Sequence, residues 1–560
     1  MNHGSGVIGY QAINISLTGN DWGGLRFNNK VCLLDGSADV SWWYAIGSFA
    51  DFSGGIPAGD LEIVHEVELY VQPDISNFMK FGPIFQSGMV LQAGRNNLVW
   101  GVATVMGEFY TVELFEGDEL KFVTSSAVKE DSTWQFLLPT QDYGTGFRLI
   151  VTAKNVIAIN DLAFGEVWVC SGQSNMEFNM GGVLDSENEI SNSAAYDDVR
   201  FAKVNHMTAS EEMSDLWGGL SIPWSKPSNS NLLSGFSGLC FLFGRNLFDN
   251  LKVPIGLVES AWGGTVVESW CSEEALASCG VPPSPDLGNG NQNENSQLWH
   301  AMIAPLTRLA VKGAIWYQGE SNVWYNTDLY SCAFSQMIDS WREKWSTNTD
   351  NEMPRNFPFG LVQLGTNAEQ VSDNSPNGNW PLIRWHQTGD EGSVPNAMLP
   401  NTFMATAVDT HDPQSPWGVI HPRDKLTVAV RMAWACLNQV YSMPDLPSKG
   451  PQPTLIKQAE STYEIMFDQA IEVVSPEGWQ VCTAADYHLC STYTGWQDVS
   501  SGSYSARSVT LDLTQACQGG CSALAYLWRE TPCLNPLQCP IYGADVFRLP
   551  ATPWIFPLDN

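Results

Sequence analysis

The chain has 560 residues, 44% of them hydrophobic, and a formal net charge of −33, and this length predicts roughly three or four domains. Because this charge repels phosphate backbones and anionic lipid surfaces, and no run of Lys or Arg offsets it, the sequence disfavours nucleic acid and membrane partners. No uninterrupted apolar stretch approaches the ~18 residues that a membrane span requires.

The first 160 residues predict two small β-rich domains. In residues 1–75, strand-like segments at 42–47 and 65–71 are separated by turns rich in Gly and Pro. Residues 76–160 contain further short strand patterns at 89–92, 109–114 and 147–152, and their spacing and turns suggest a β-sandwich. The sequence does not indicate what residues 1–75 do.

Residues 161–440 show strands that alternate with helices, which predicts a largely parallel sheet with helices on both faces. Five strands are predicted, at 167–169, 255–258, 313–317, 357–364 and 403–408. Helices are predicted at 236–251, 298–309, 329–341 and 425–439. Residues 441–560 return to strands and turns, so the predicted architecture is an α/β domain flanked by β-rich domains.

Six of the 13 cysteines lie close together in the last predicted domain: Cys482, Cys490, Cys517, Cys521, Cys533 and Cys539. This clustering predicts disulfides and an oxidising compartment. Zinc is the competing explanation, but only Cys517 and Cys521 approach the spacing of a ligand pair, so no metal site is predicted. The odd cysteine count leaves at least one thiol unpaired.

Ligands of open α/β sheets bind at the carboxyl ends of the strands, and four of the five predicted strands end in residues suited to acyl transfer. The first strand leads to Ser174, a candidate nucleophile in a turn where a serine is by default only a turn residue. The second leads to Gly264, whose backbone N–H can approach a ligand closely. The third leads to Gln318, an amide that could donate to an oxyanion, and the fifth to the imidazole of His421. Together these segments supply the nucleophile, base and oxyanion site of a serine mechanism.

Four segments together resemble the SGNH-type sialate O-acetylesterases: GQSNM at 172–176, WGGT at 262–265, WYQGESN at 316–322 and IHPRDK at 420–425. The resemblance covers the chain from about residue 81 to its end. It implies an SGNH-hydrolase-like α/β/α fold and an esterase, without a metal or cofactor, that removes acetyl groups from the 9-position of sialic acids through an acyl-enzyme. It also implies that Ser174 is the nucleophile and His421 the general base, and that the amides of Ser174 and Gly264 and the Gln318 side chain bind the oxyanion.

The chain departs from the SGNH pattern at the residue that orients the histidine. Many SGNH hydrolases place an aspartate two or three residues before it, whereas positions 418 and 419 hold Gly and Val. Asp412 is the candidate third member of the triad, and Asp409 is a weaker one because it is expected to end a strand. A backbone carbonyl that orients the imidazole is the alternative.

The substrate and the location are less constrained. A sialate is an anion, so a chain with this net charge needs a local cation to bind it, and Arg384 and Arg423 are the arginines in the motif segments. An acetylxylan or other polysaccharide esterase is the alternative enzyme, and a catalytically inactive sugar-binding protein is the alternative class. The family implies a lysosomal or secreted protein, although no signal peptide is visible in residues 1–10, which leaves a cytosolic alternative. The oligomeric state stays open.

Overall fold

A computed structural model describes residues 78–284, 291–367, 379–486, 490 and 495–558, together with the backbone of six short strands in residues 1–77. The chain forms two compact units, Met1–Phe78 with Ala103–Val105, and the remainder. In the first unit the strands form three antiparallel pairs: Trp22–Phe27 with Lys30–Asp35, Trp42–Trp43 with Glu66–Val67, and His3–Gly4 with Val7–Ile8. The two strands predicted in this region are therefore present as a short pair.

The second unit is built around a seven-stranded section of sheet that contains β1 (Val156–Gly172), β2 (Val199–Val204), β3 (Leu220–Ser225), β4 (Ile255–Ala261), β5 (Gly313–Tyr317), β6 (Phe359–Gln363) and β7 (Thr402–Thr406). Their order is β3-β2-β4-β1-β5-β6-β7, and every neighbouring pair is parallel except β2 and β3. Strands β4, β5 and β6 are buried at every position, as expected for a parallel sheet covered on both faces. The predicted α/β fold is confirmed.

The sequence prediction missed β2 and β3. Arg200 and Lys203 interrupt the apolar pattern of β2, and Pro223 interrupts that of β3. Arg200 is nevertheless buried, because its guanidinium pairs with Asp161 at 3.0 Å. Pro223 is tolerated because β3 lies at the end of the strand order, where a missing backbone N–H costs no ladder hydrogen bond.

Helices pack on opposite faces of this sheet. On one face, Trp168 of β1 contacts Phe243 of the helix Gly238–Leu251. On the other face, Trp316 of β5 contacts Trp341 of the helix Tyr330–Asn348. Trp316 is the pairing partner of Ser171 in β1. Positions 168 and 171 are three residues apart and therefore face opposite sides of the sheet. The α-helices are Ser174–Glu177, Ser186–Ser193, Ser230–Ser234, Gly238–Leu251, Glu273–Ser278, Tyr330–Asn348, Trp380–His386 and Lys425–Val440.

Three of the four predicted helices are confirmed as α-helices, and the one predicted at 298–309 is not. That segment forms a π-helical turn, Trp299–Ile303, followed by a 3₁₀ helix, Ala304–Arg308. Pro305 has no backbone N–H and therefore cannot continue the regular hydrogen bonding of an α-helix.

β1 is 17 residues long and belongs to both the β-rich and the α/β part of the chain. Its first half pairs antiparallel with Gly144–Thr152, and its second half lies parallel between β4 and β5. The domain boundary predicted at residue 160 thus falls inside one strand. The other strands between residue 78 and β1 are Met79–Phe81, Val90–Gln92, Asn97–Ala103, Phe109–Glu116, Glu119–Ala127 and Thr133–Leu138.

The described residues after 450 form three further sheets. Their strands are Pro453–Ala459, Thr462–Phe467, Ser501–Tyr504 and Ser508–Asp512; Trp479–Cys482, Trp496–Val499, Ala523–Tyr526 and Trp554–Pro557; and the pair Ile471–Val473 and Ile541–Gly543. The six clustered cysteines form three disulfides, Cys482–Cys490, Cys517–Cys521 and Cys533–Cys539, as predicted. Two more join Cys170 to Cys240 and Cys279 to Cys332. Among the described residues, no helix is long and apolar enough to cross a membrane.

Candidate active site

The turn after β1 presents Ser174 at the carboxyl edge of the sheet. Gly172 has a φ of +134°, and a Cβ at this position would collide with the Tyr317 carbonyl of the neighbouring β5, so the turn requires glycine. The next residue, Gln173, donates its backbone N–H to the same carbonyl at 3.0 Å. The one-turn helix Ser174–Glu177 follows at once, so the position of the serine is set by two adjacent strands.

His421 lies beside this serine with its ring held at both nitrogens. Its Nε2 is 2.9 Å from the Ser174 Oγ, and its Nδ1 is 2.8 Å from the Trp417 carbonyl oxygen. A carbonyl only accepts, so Nδ1 carries the proton and Nε2 is left as the acceptor for the serine hydroxyl. Burial lowers the pKa of His421 below its ordinary value, and the charge of Lys425 acts in the same direction. The imidazole is therefore neutral at neutral pH, as a general base must be.

The structure contradicts the prediction that Asp412 orients His421. Both Asp412 carboxylate oxygens are bound by the Arg423 guanidinium, at 2.7 Å from Nε and 2.9 Å from Nη2. The buried carboxylate of Asp409 is also bound by other groups. It pairs with Arg431 and accepts a hydrogen bond from the Tyr542 hydroxyl at 2.9 Å. The group that contacts the Nδ1 of His421 is the backbone carbonyl of Trp417, which corresponds to the alternative that the sequence left open.

The loop after β4 lies directly against the serine. A Cβ placed on Gly263 would be 3.3 Å from the Ser174 Cβ, and the Gly263 N–H donates to Glu177 at 2.8 Å. The next residue, Gly264, has a φ of +74°, and its N–H has no hydrogen-bond partner within the described ranges. The Ser174 N–H belongs to the first helical turn, where backbone donors lack intrahelical partners. Two backbone donors are thus available on this side of the serine.

Gln318, the third predicted oxyanion donor, has no free amide hydrogen. Its side chain is fully buried, and Nε2 donates to the Thr265 carbonyl at 3.1 Å and to the Asn322 Oδ1 at 2.7 Å. Its Oε1 accepts the Tyr330 hydroxyl at 3.0 Å. Because both amide hydrogens are used, this prediction disagrees with the structure. The side chain instead braces the loop that carries Gly264.

Neither predicted substrate-binding arginine presents a free guanidinium to this site. Arg384 is fully buried and donates to four backbone carbonyls, those of Leu364, Gly365, Arg529 and Glu530. It therefore joins the helix Trp380–His386 to the chain after β6 and to the C-terminal sheets. Arg423 is occupied by Asp412. Arg384 is therefore a structural cation, contrary to the prediction, whereas substrate binding by the partly exposed Arg423 stays a prediction.

A cleft of about 330 Å³ opens beside the serine and histidine, lined by Ser174, Glu177, Phe178, Asn179, Lys203, Gly235, Trp417 and His421. Lys203 of β2 is its cationic residue, but its Nζ is already 3.3 Å from Glu177 and 2.9 Å from Glu259. Burial would raise the pKa of Glu177, but the hydrogen bond with His206 and the charge of Lys203 outweigh it and lower that pKa. This cluster of Lys203, Glu177 and Glu259 was not predicted, because the strand β2 that carries Lys203 was not among the predicted strands.

Trp417 forms the exposed wall of the cleft. Its side chain is 51% exposed, and its ring lies edge-on to Phe178 at a centroid distance of 5.1 Å. The same residue supplies the carbonyl that orients His421. An exposed indole beside a polar cleft is suited to packing on the apolar face of a sugar ring.

Two family models match the chain. The model for carbohydrate esterases of the sialic acid-specific acetylesterase type covers residues 164–412, and that for the sialate O-acetylesterase C-terminal domain covers residues 453–558. The crystal structure of a carbohydrate acetylesterase from Xanthomonas citri has the same fold, with a TM-score of 0.70 and 24% identity, over 86% of this chain and 99% of that one. The fold and the matching models define the class as a carbohydrate esterase of the SGNH type.

Curated relatives narrow the class to one family. The sialate O-acetylesterase of Homo sapiens is 39% identical over 497 residues, which cover 85% of this chain and 92% of the human protein. That of Mus musculus is 37% identical over 525 residues, covering 86% and 95%. The chain belongs to the sialate O-acetylesterase family, as the resemblance of its motifs predicted.

Proposed function

We propose that this protein is a serine esterase that removes O-acetyl groups from sialic acids, with the 9-O-acetyl group as its preferred substrate. The observation that carries the proposal is the 2.9 Å contact between His421 Nε2 and Ser174 Oγ, with Nδ1 held by the Trp417 carbonyl. This geometry leaves an unprotonated nitrogen facing a hydroxyl at the mouth of a cleft. The names of the human and mouse relatives support sialate as the acetylated sugar.

In the first half-reaction the Ser174 Oγ attacks the acetyl carbonyl carbon while His421 Nε2 takes the hydroxyl proton. The developing oxyanion is met by the Ser174 and Gly264 N–H groups, both of which are fixed backbone donors. The bond to the sugar oxygen then breaks, and the imidazolium returns its proton to that oxygen. In the second half-reaction His421 removes a proton from water and the resulting hydroxide attacks the acetyl carbon of the acetyl-serine. The bond between this carbon and Ser174 Oγ then breaks, the imidazolium returns its proton to Oγ, and acetate leaves.

The cysteines support a location outside the reducing cytosol. The described part of the chain contains five disulfides, and such bonds persist in oxidising compartments. We therefore place the enzyme in the lysosome or among secreted proteins.

The test measures acetate released from 9-O-acetylated sialic acid and from acetylated xylan by the wild-type enzyme, Ser174→Ala and Ser230→Ala. Ser230 is a matched control, because it is an exposed serine that also begins a short helix. We expect release from the sialic acid, its loss only in Ser174→Ala, and labelling of Ser174 by a fluorophosphonate. Wild-type activity in Ser174→Ala would refute the mechanism, and preference for acetylated xylan would show that the protein is the alternative enzyme, an acetylxylan or other polysaccharide esterase.

A further inference from the structure

A buried chain of three polar side chains, which we call the loop clamp, lies beneath the serine and histidine. It consists of Glu320, Asn175 and Lys425, with exposed fractions of 2%, 1% and 0%. Asn175 is central, because its Nδ2 donates to the Glu320 carboxylate and its Oδ1 accepts from Lys425 Nζ at 2.6 Å. The three residues come from three separate segments: the turn after β1, the turn after β5, and the start of the helix Lys425–Val440.

The loop clamp holds the main chain on both sides of His421. The second Nδ2 hydrogen of Asn175 goes to the Ile420 carbonyl at 2.8 Å, and Lys425 Nζ donates to the Pro422 carbonyl at 2.8 Å. Asn175 is also the residue after Ser174. The backbone around the histidine is therefore tied directly to the backbone of the serine.

This arrangement matters because no carboxylate of the described residues forms a hydrogen bond with the His421 imidazole, whose nitrogens contact the Trp417 carbonyl and the Ser174 hydroxyl. The Trp417 carbonyl fixes the tautomer, but it lies in the same loop as His421 and cannot fix the distance from that loop to Ser174. The loop clamp supplies hydrogen bonds that cross from one segment to the other. A displacement of about 1 Å in a reacting group can cost about 10²-fold in rate.

The Lys425 ammonium occupies an unusual position for a charged group. It is fully buried, with its Nζ 4.7 Å from the centre of the Phe178 ring and 5.6 Å from that of Tyr317. Glu320 is also costly to bury, since its Oε2 has no hydrogen-bond partner within the described residues. Burial lowers the pKa of Lys425 to about 7 and raises the pKa of Glu320, so the protein works against the charged form of each group. Burying a lysine and a carboxyl group for stability alone is unfavourable compared with apolar packing. A role in placing the loop accounts for both.

We propose that Lys425 and Glu320 are positioning residues for the esterase reaction, acting through Asn175 to hold His421 at its working distance from Ser174. This inference rests on the proposed function, because it assumes that His421 is the base. Lys425→Met, which keeps most of the aliphatic chain and removes the hydrogen bonds, should lower kcat about 10²-fold with little change in KM. Glu320→Gln keeps an acceptor for Asn175 and should lower kcat less than tenfold.

The decisive experiment measures hydrolysis of an activated acetyl ester, 4-nitrophenyl acetate, by wild type, Lys425→Met, His421→Ala and the double variant. If Lys425 acts through His421, the Lys425→Met change lowers kcat about 10²-fold in the wild-type background. In the His421→Ala background the same change lowers kcat no further. An equal loss in both backgrounds would overturn the positioning role while leaving the base intact. Equal activity of wild type and His421→Ala would overturn the proposed function itself, and the positioning role with it.

The variant Met432→Ala is the control that distinguishes a positioning role of Lys425 from a general loss of stability. Met432 is fully buried on the same helix as Lys425, and the loop clamp does not include it. This variant should lower the melting temperature and leave kcat unchanged below the transition. If Met432→Ala lowers kcat as much as Lys425→Met does at matched stability, the effect of Lys425 is only structural and the inference fails.

Discussion

Replacing Asp412 by Asn tests whether a backbone carbonyl is sufficient to orient the base. In a Ser-His-Asp triad the equivalent change costs about 10⁴-fold in kcat, because the imidazole loses its tautomer and its counter-charge. Here the His421 Nδ1 contact with Trp417 is untouched by the substitution. What is lost is one carboxylate charge facing Arg423, in a pair whose side chains are 15% and 29% exposed. A partly exposed pair of this kind contributes about 1–2 kcal/mol.

Even if that whole amount appeared in the barrier, kcat would fall only about 5–30-fold, since about 1.4 kcal/mol corresponds to a factor of ten. The assay is acetate release at saturating substrate, with the melting temperature measured on the same samples. Asp412→Asn should therefore lose at most about 30-fold in kcat, together with some stability. A loss of three or more decades in a variant that melts like the wild type would show that Asp412 orients His421 during turnover, and the two-residue mechanism would be refuted.

Three further predictions follow from the buried groups. Burial lowers the pKa of His421, and this residue must be neutral to act as the base. The acidic limb of the profile of kcat/KM against pH should therefore have its midpoint below the ordinary histidine pKa of 6.5. A midpoint above that value would contradict the assignment of His421 as the base. Gln318→Ala should lower the free energy of unfolding by several kcal/mol, because each buried hydrogen-bond partner left unsatisfied costs about 1–3 kcal/mol. A loss of about 10²–10³-fold in kcat at unchanged stability would instead show that the Gln318 side chain binds the oxyanion. Arg384→Met should lower the melting temperature and should not selectively raise KM for anionic over neutral acetyl esters, as it would if Arg384 bound a carboxylate.

The strands that could be predicted from the sequence are those that contain a continuous apolar run, such as residues 255–258 of β4. β4, β5 and β6 are buried throughout, and their residues show this directly. β2 carries a buried arginine and a partly buried lysine, and the partners that permit this, Asp161 and Glu259, are distant in sequence. Local pattern therefore cannot distinguish β2 from a surface segment. The shared strand β1 is a similar case, because its change of partners depends on tertiary pairing alone.

The Ser174–His421 pair, which we propose to be catalytic, could be predicted from the sequence for a different reason. Ser174 and His421 follow strands whose ends meet at one edge, and topology alone brings them together. The assignments that disagree with the structure concern polar side chains near that edge: Asp412, Gln318 and Arg384. Each has the right chemistry for its predicted role, but each is already bound to another protein group. Sequence gives the chemical type of a side chain, whereas the partner that occupies it is set by packing.

The motif segments of this fold therefore contain residues of two kinds. Ser174 and His421 are placed to react with a substrate. Asn175, Gln318 and Lys425 instead make hydrogen bonds that hold the turns bearing the reacting groups. The second kind is needed here because His421 is oriented by a carbonyl of its own loop, so nothing within that loop fixes its distance to the serine. That distance must be set by side chains that cross between segments. Buried amides and a buried ammonium suit this task, since each can bind two or three partners at once.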